Sequence, residues 1–255
     1  MPDFAIYPSL RDRRVLVTGG ASGIGASIVE HFSAQGARIG FIDLDAEAAE
    51  RLVASLGDKR GNAAFAPADL RDIGALRQAI DTLRQTLGGT FSVLVNNAAR
   101  DDRHGIDQVT PEYWDERMNT NLRHQFFAAQ ALKDEMIAAK GGSIINFTSI
   151  SFRMATAGMP VYLTAKAAVI GLTRALARDL GQHHIRVNSV MPGWIMTPRQ
   201  IELWLTPEGE ANLIKSQCIP GKLYPPDIAR MVLWLAADDS RLVTAQTFVV
   251  DGGRT

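Results

Sequence analysis

The chain has 255 residues, 46% of them hydrophobic, which suits one α/β domain with a large core and excludes a disordered chain. Its 27 lysines and arginines equal its 27 aspartates and glutamates, so it lacks the basic footprint of a nucleic-acid binder. The single cysteine, Cys218, excludes an intrachain disulfide, reads as a small buried hydrophobe and fits a reducing cytoplasm.

The stretch from Met1 to Pro8 lacks the basic and apolar segments of a secretory signal, and no apolar run approaches the ~20 residues of a membrane span. The expectation is a cytoplasmic protein with no membrane or nucleic-acid partner. Short apolar, β-branched runs predict strands at 15–17, 38–42, 63–65, 93–95, 143–147, 185–190 and 247–250. Between them, apolar residues spaced three and four apart predict helices at 26–35, 46–56, 73–87, 112–139, 165–180 and 227–236. Repeated strand–helix alternation predicts a single-domain, doubly wound (Rossmann-type) α/β fold over 1–255, with a parallel seven-stranded sheet and helices on both faces. The strands are almost uniformly apolar, as expected when both faces are covered. One long irregular stretch, about 193–223, contains Pro198, Pro207, Gly209, Pro220 and Gly221 and is expected to form a substrate lid.

Directly after the first strand, Thr18-Gly19-Gly20-Ala21-Ser22-Gly23-Ile24-Gly25 leads into a helix. Glycines there permit a tight turn and let backbone N–H groups approach a pyrophosphate at the helix N-terminus. A flexible turn has the same composition, but the strand–loop–helix context favours binding. Asp43 ends the second strand, eighteen residues after Gly25. A carboxylate at that place accepts hydrogen bonds from ribose hydroxyls and repels a 2′-phosphate, so NAD is expected over NADP.

Tyr162 and Lys166 are four residues apart in a helical stretch opened by Pro160, hence on one helix face. A phenol titrates near ~10 when unperturbed, and a neighbouring ammonium is expected to lower that value. Ser149 ends the preceding strand, thirteen residues before Tyr162. Asn121 falls midway along a predicted long helix, where asparagine either bonds the backbone or holds a water.

With these pieces in place, the sequence resembles the short-chain dehydrogenase/reductase family over essentially its whole length. The resemblance rests on the glycine string, Asp69-Leu70, Asn96-Asn97-Ala98-Ala99, Asn121, Ser149, Tyr162 through Lys166, and Pro192-Gly193-Trp194-Ile195-Met196-Thr197. It departs at Ala99, where the family often has glycine. The resemblance implies that Tyr162 is the general acid/base, that Ser149 holds the reacting oxygen, and that Lys166 binds the nicotinamide ribose. Asn121 would position a water on the proton path to solvent. Gly19, Ser22, Gly23, Ile24, Gly25, Asp43, Asp69, Leu70, Asn97, Tyr162, Lys166, Pro192, Gly193, Ile195 and Thr197 would hold NAD, and no metal is implied. The family also implies a homotetramer built on the helices bearing Asn121 and Tyr162.

A narrower resemblance covers Asn97 through His104, Tyr113-Trp114-Asp115-Glu116-Arg117, Asn121-Leu122-Arg123-His124 and Thr206 through Ala211. These segments are similar to bacterial aldopentose 1-dehydrogenases of the D-xylose and L-arabinose type. They imply oxidation of a cyclic aldose at its anomeric carbon to a lactone. Candidates to recognise sugar hydroxyls are Asp101, Asp102, Arg103, His104, Ser151, Arg153 and Gln200, with Trp194 and Trp204 placed to stack on a sugar or to pack the lid. Other readings stay open: another sugar or polyol, a ketone substrate such as a 3-oxoacyl thioester, or a dinucleotide-binding regulator. The last would be expected to lack one of Ser149, Tyr162 and Lys166.

Overall fold

The computed structural model describes residues 4–57 and 62–255; Met1 to Asp3 of the N-terminal stretch lie outside it. Its strands are β1 (Arg14–Thr18), β2 (Arg38–Asp43), β3 (Ala63–Pro67), β4 (Val93–Asn96), β5 (Gly142–Phe147), β6 (Ile185–Pro192) and β7 (Thr247–Val250). They form one parallel sheet in the order β3-β2-β1-β4-β5-β6-β7. Thr18 pairs with Ile42 on one side and Asn96 on the other, so the strand ends that carry the sequence motifs lie at one edge of the sheet.

The helices are α1 (Gly23–Ala34), α2 (Ala46–Ser55), α3 (Ile73–Leu87), α4 (Pro111–Met118), α5 (His124–Ala138), α6 (Pro160–Leu180), α7 (Pro198–Trp204), α8 (Pro207–Ser216) and α9 (Pro225–Ala236). α1, α2 and α9 cover one sheet face through Ile28, Phe32, Leu52, Ile228 and Val232. α3, α5 and α6 cover the other through Leu76, Ile80, Leu132, Met136 and Ala177. Burial of both faces is why the strands lack polar alternation. The predicted helix over 73–87 has matching end signals: Asp72 accepts from the N–H groups of Gly74 and Ala75, and Gly88 closes the helix at φ +66°.

Three expectations need correction. The pattern over 112–139 is two helices, α4 and α5, joined by a π-turn at Asn119–Arg123. Thr120 Oγ1 and Asn121 Nδ2 bond back to the carbonyls of Glu116 and Arg117, competing with the helical ladder where it widens. The stretch 193–223 is not irregular, because it contains α7 and α8. Pro198 and Pro207 stand at first helical positions behind capping threonines: Thr197 Oγ1 accepts from Gln200 N, and Thr206 Oγ1 from Gly209 N. Its ends meet in a parallel bridge between Ile195 and Leu223. Cys218 is exposed rather than buried.

Candidate active site

The strand order reverses between β1 and β4, and open α/β sheets bind ligands in the crevice such a reversal leaves. Gly19 enters the turn at φ +67°, its N–H bonded to the carbonyl of Ile42 at 2.7 Å. A Cβ at Gly25 would stand 1.8 Å from the carbonyl oxygen of Gly19 and 2.7 Å from Asn97 Nδ2. Only glycine fits there, and its bare backbone is what lets a phosphate approach the start of α1. From the end of β4, Asn97 Nδ2 donates to the carbonyls of Gly19 and Thr18, at 2.8 and 3.2 Å, and holds the loop in place. Ser22 is the N-cap of α1 but makes no side-chain cap bond.

Asp43 accepts from the N–H of Ala21 at 2.9 Å and of Leu44 at 2.7 Å, which fixes its carboxylate beside the glycine turn. Residues 18–25 and 44–46 contain no lysine or arginine. Asp69 is paired with Arg71 at 2.6 Å, and that hydrogen bond holds its carboxyl below the usual range. Leu70, next to it, packs against the α3 face. Pro192, Gly193 and Ile195 line the end of β6, and Thr197 reaches the glycine turn, its methyl 3.1 Å from where a Cβ of Gly23 would stand. The cradle at Gly25, the first turn of α1 and the fixed Asp43 together fit a dinucleotide.

On the other side of the crevice, Tyr162 and Lys166 sit one turn apart on α6, both buried. Lys166 Nζ donates to the carbonyl of Phe147 at 2.9 Å and lies 5.7 Å from the Tyr162 ring centroid. Thr148 Oγ1 donates to the carbonyl of Lys166 at 2.6 Å and ties α6 to the end of β5. Ser149 follows, its Oγ 2.9 Å from Ser151 Oγ. Burial, then the charge of Asp101, push the Tyr162 phenol above its ordinary value, against an opposing hydrogen bond from Ser149 and the charge of Arg103. The expected lowering by the lysine ammonium is not seen: burial dominates, and the groups that oppose it are Ser149 and Arg103. Burial also pushes Lys166 down to about 7, so near neutrality it can both hold and release a proton.

Asn121 is fully buried in the π-turn. Its Oδ1 accepts from Arg100 N at 2.8 Å while Nδ2 donates to the carbonyl of Arg117 at 3.0 Å. It pins the loop after β4 to the α4–α5 junction through bonds to the backbone.

The substrate candidates divide sharply. Asp101 and Arg103 lie close enough for their charges to act on Tyr162. Asp101 accepts from Gln200 Nε2 at 2.8 Å, and Gln200 Oε1 accepts from the Trp194 indole at 2.9 Å. Arg103 lies 5.0 Å over the ring of Trp204, so both tryptophans make contacts to protein side chains. Asp102 binds Arg100, Arg117 and Arg199 at 2.7–2.8 Å. Burial raises its carboxyl, but these three arginines outweigh that and leave it below its ordinary value. Ser151 stays beside Ser149, whereas Arg153 is exposed on the following turn. His104 departs from expectation. It is 4% exposed, and both ring nitrogens are engaged within the chain, by Val161 N–H on one side and by Tyr113 and Asp102 on the other. Sequence reasoning gave no role to Thr148 or to Arg199, which ties α7 to Asp102; both act through partners distant in sequence.

Comparison with known proteins agrees with this geometry. The family described as Enoyl-(Acyl carrier protein) reductase matches residues 19–255. A Rhizobium meliloti protein named "Probable galactose dehydrogenase GalD" is 49% identical over 97% of this chain and 96% of its own. A D-xylose 1-dehydrogenase of Caulobacter vibrioides is 44% identical over 98% of both chains. The crystal structure of a 3-oxoacyl-[acyl-carrier protein] reductase with bound NAD from Brucella melitensis superposes with a TM-score of 0.86 at 32% identity, covering 99% of this chain and 97% of that one. With the glycine turn, Ser149, Tyr162 and Lys166 assembled at one crevice and this identity along nearly its full length, the chain belongs to the short-chain dehydrogenase/reductase family of oxidoreductases.

Proposed function

We propose that the protein oxidises a cyclic aldose at its anomeric carbon to the lactone, with NAD as acceptor and D-xylose or L-arabinose as the first substrates to test. The observation that carries this reading is the set of polar groups around Tyr162: Ser149, Asp101 and Arg103 stand near enough to act on its phenol, and Asp101 is itself bonded by Gln200. A sugar demands such groups, because each hydroxyl left unpaired in a closed site costs affinity. The relatives named for galactose and D-xylose support the substrate class. The fixed Asp43 carboxylate, with no lysine or arginine in residues 18–25 and 44–46, supports NAD.

Bound NAD supplies the hydride acceptor, and its oxidised ring carries a positive charge. That charge would favour the phenolate against burial, and in this form Tyr162 takes the proton of the anomeric hydroxyl while Ser149 Oγ donates to the same oxygen. The anomeric carbon loses its hydrogen as hydride, the C–O bond becomes the lactone carbonyl, and the proton leaves through Lys166. The dinucleotide would rest on Gly19, Ser22 to Gly25, Asp43, Asp69, Leu70 and Asn97. Pro192, Gly193, Ile195 and Thr197 would hold its other end. We read 1–255 as one domain with 193–223 as its lid.

An apolar groove lined by Met118, Leu122, Phe126, Phe127, Ala168 and Leu172 runs between the α4–α5 junction and α6 and supports a homotetramer. Among the described residues no helix is long and apolar enough to cross a membrane. A cytoplasmic site of action is proposed on the single cysteine, which fits a reducing compartment.

The test is NAD reduction with D-xylose, L-arabinose, D-galactose and secondary alcohols, repeated with NADP. Turnover of an aldose with NAD is expected. Turnover of a 3-oxoacyl thioester with NADPH and of no sugar sinks the proposal. Tyr162→Phe is expected to lower kcat by about 10²–10⁴-fold while NAD still binds, and unchanged turnover refutes the role of Tyr162.

A further inference from the structure

Two segments of the chain, Asp101 to His104 and Tyr113 to Arg117, meet at one place outside the proton path: the N-terminus of α6. That terminus lacks a cap of its own. Met159, the N-cap residue, makes no side-chain cap bond, and Pro160 has no N–H to satisfy. The next donor, Val161 N–H, belongs to a residue 1% exposed, where an unpaired donor is costly. His104 supplies the acceptor from 57 residues away, with Nε2 at 3.1 Å from Val161 N. Its own backbone N–H donates to the carbonyl of Gly158 at 2.7 Å, so the loop grips the helix start twice.

An accepting Nε2 places the ring proton on Nδ1. That nitrogen lies 3.0 Å from the carbonyl oxygen of Asp102 and 2.9 Å from the Tyr113 hydroxyl. Tyr113 meets the imidazole edge to face, with centroids 5.0 Å apart. Arg117, one turn along α4, lies 5.5 Å from the Tyr113 ring centroid and pairs with Asp102 at 2.7 Å. The imidazole is thus held at both nitrogens and against one ring.

We propose that His104 is a positioning residue for the catalytic tyrosine: its neutral imidazole caps α6 at Val161 and thereby aims Tyr162, the next residue, at the reacting oxygen. This rests on Tyr162 as the acid/base and not on which sugar is oxidised. A neutral ring suits the place, since a cation at a helix N-terminus opposes the helix dipole.

The test compares His104→Leu, which keeps the bulk and removes the acceptor, with His104→Gln, whose amide oxygen can take the place of Nε2. For His104→Leu, kcat is expected to fall by about 10²-fold with KM for NAD within about twofold, as for a misaimed group. His104→Gln is expected to keep kcat within about threefold of the parent, because the Val161 bond survives. Amide exchange at Val161, read by NMR or mass spectrometry, is expected to speed up by about 10-fold or more in His104→Leu and to stay slow in His104→Gln. If His104→Leu does not fold, His104→Asn takes its place, since its amide mimics Nδ1 and not Nε2.

Equal kcat in the leucine variant and the parent, an equal fall in the leucine and glutamine variants, or unmoved Val161 exchange overturns the proposal. A raised KM for sugar at unchanged kcat overturns it too and returns His104 to the substrate site. The exchange measurement needs no turnover. A parent protein that oxidises no aldose therefore sinks the sugar reading alone, and the exchange contrast still decides on His104.

Discussion

On the β1 side of the crevice, Gly19 and Gly25 are shaped by backbone contact, and Asp43 is held by the N–H groups of its neighbours and of Ala21. On the β4–β6 side the site is held by side chains from distant segments: His104 on Val161, Thr148 on Lys166, Gln200 on Asp101 and Arg199 on Asp102. The first side has almost no freedom to vary, because a single methyl group collides with main chain. The second tolerates replacement one bond at a time, and each replacement shifts a different property. A shared dinucleotide and divergent substrates call for that division of labour.

The strongest challenge to this contrast is Gly25→Ala. The added carbon lies at 1.8 Å from a carbonyl oxygen that is itself part of the cradle, so the loop must move. Loss of detectable NAD binding by calorimetry is expected, with a fall in stability of about 3 kcal/mol or more, in the range of severe overpacking. An alanine variant that binds NAD normally would break the claim that backbone sterics set this side.

A smaller effect lies in acid stability on the other side. His124, fully buried where the π-turn meets α5, is pushed down to about 3 by burial, and next by the charge of Lys166. Between its unfolded value of 6.5 and about 3, the unfolded chain holds the extra proton. Stability therefore falls as pH drops through that window, by at most about 1.4 kcal/mol for each pH unit crossed. His124→Asn is expected to flatten the urea-midpoint profile between these pH values. An unchanged slope would remove His124 from the account.

The smallest expected effect is Arg199→Ala. It removes the ion pair to Asp102 from a half-exposed arginine, and such pairs contribute little. Thermal stability should move by less than about 1 kcal/mol, while KM for substrate rises severalfold because α7 is held less firmly. A loss of NAD affinity instead would blur the boundary between the two sides.

How much of this was legible follows the same line. Gly19 to Gly25 and Asp43 are readable because the strand, the turn and the helix that use them are contiguous. Ser149, Tyr162 and Lys166 are readable as a set only through family likeness, since a tyrosine and a lysine four apart have no meaning until β5 brings Ser149 beside them. His104 reads as a sugar ligand because polar loop residues usually face solvent, and nothing near it in sequence reveals a bond to Val161. The π-turn is invisible to periodicity, because one extra residue leaves the apolar spacing of the flanking helices intact. Prolines and glycines at 198, 207 and 209 read as a loop, although with the preceding threonines they are helix-start signals.

The bridge between Ile195 and Leu223, reinforced by Met196 N–H on the Leu223 carbonyl at 2.8 Å, brings the two roots of the segment holding α7 and α8 together. The segment between them leaves and re-enters the body at this clasp, with a further tie from Ile219 N–H to the Gly252 carbonyl at 2.9 Å. Such a segment behaves as a cassette: its length and composition can change without altering the register of any strand, since no sheet pairing passes through it. Selection for a new sugar can then rewrite α7 and α8 wholesale while Ser149, Tyr162 and Lys166 stay put. Transplanting the 197–222 segment from a relative is the corresponding engineering route.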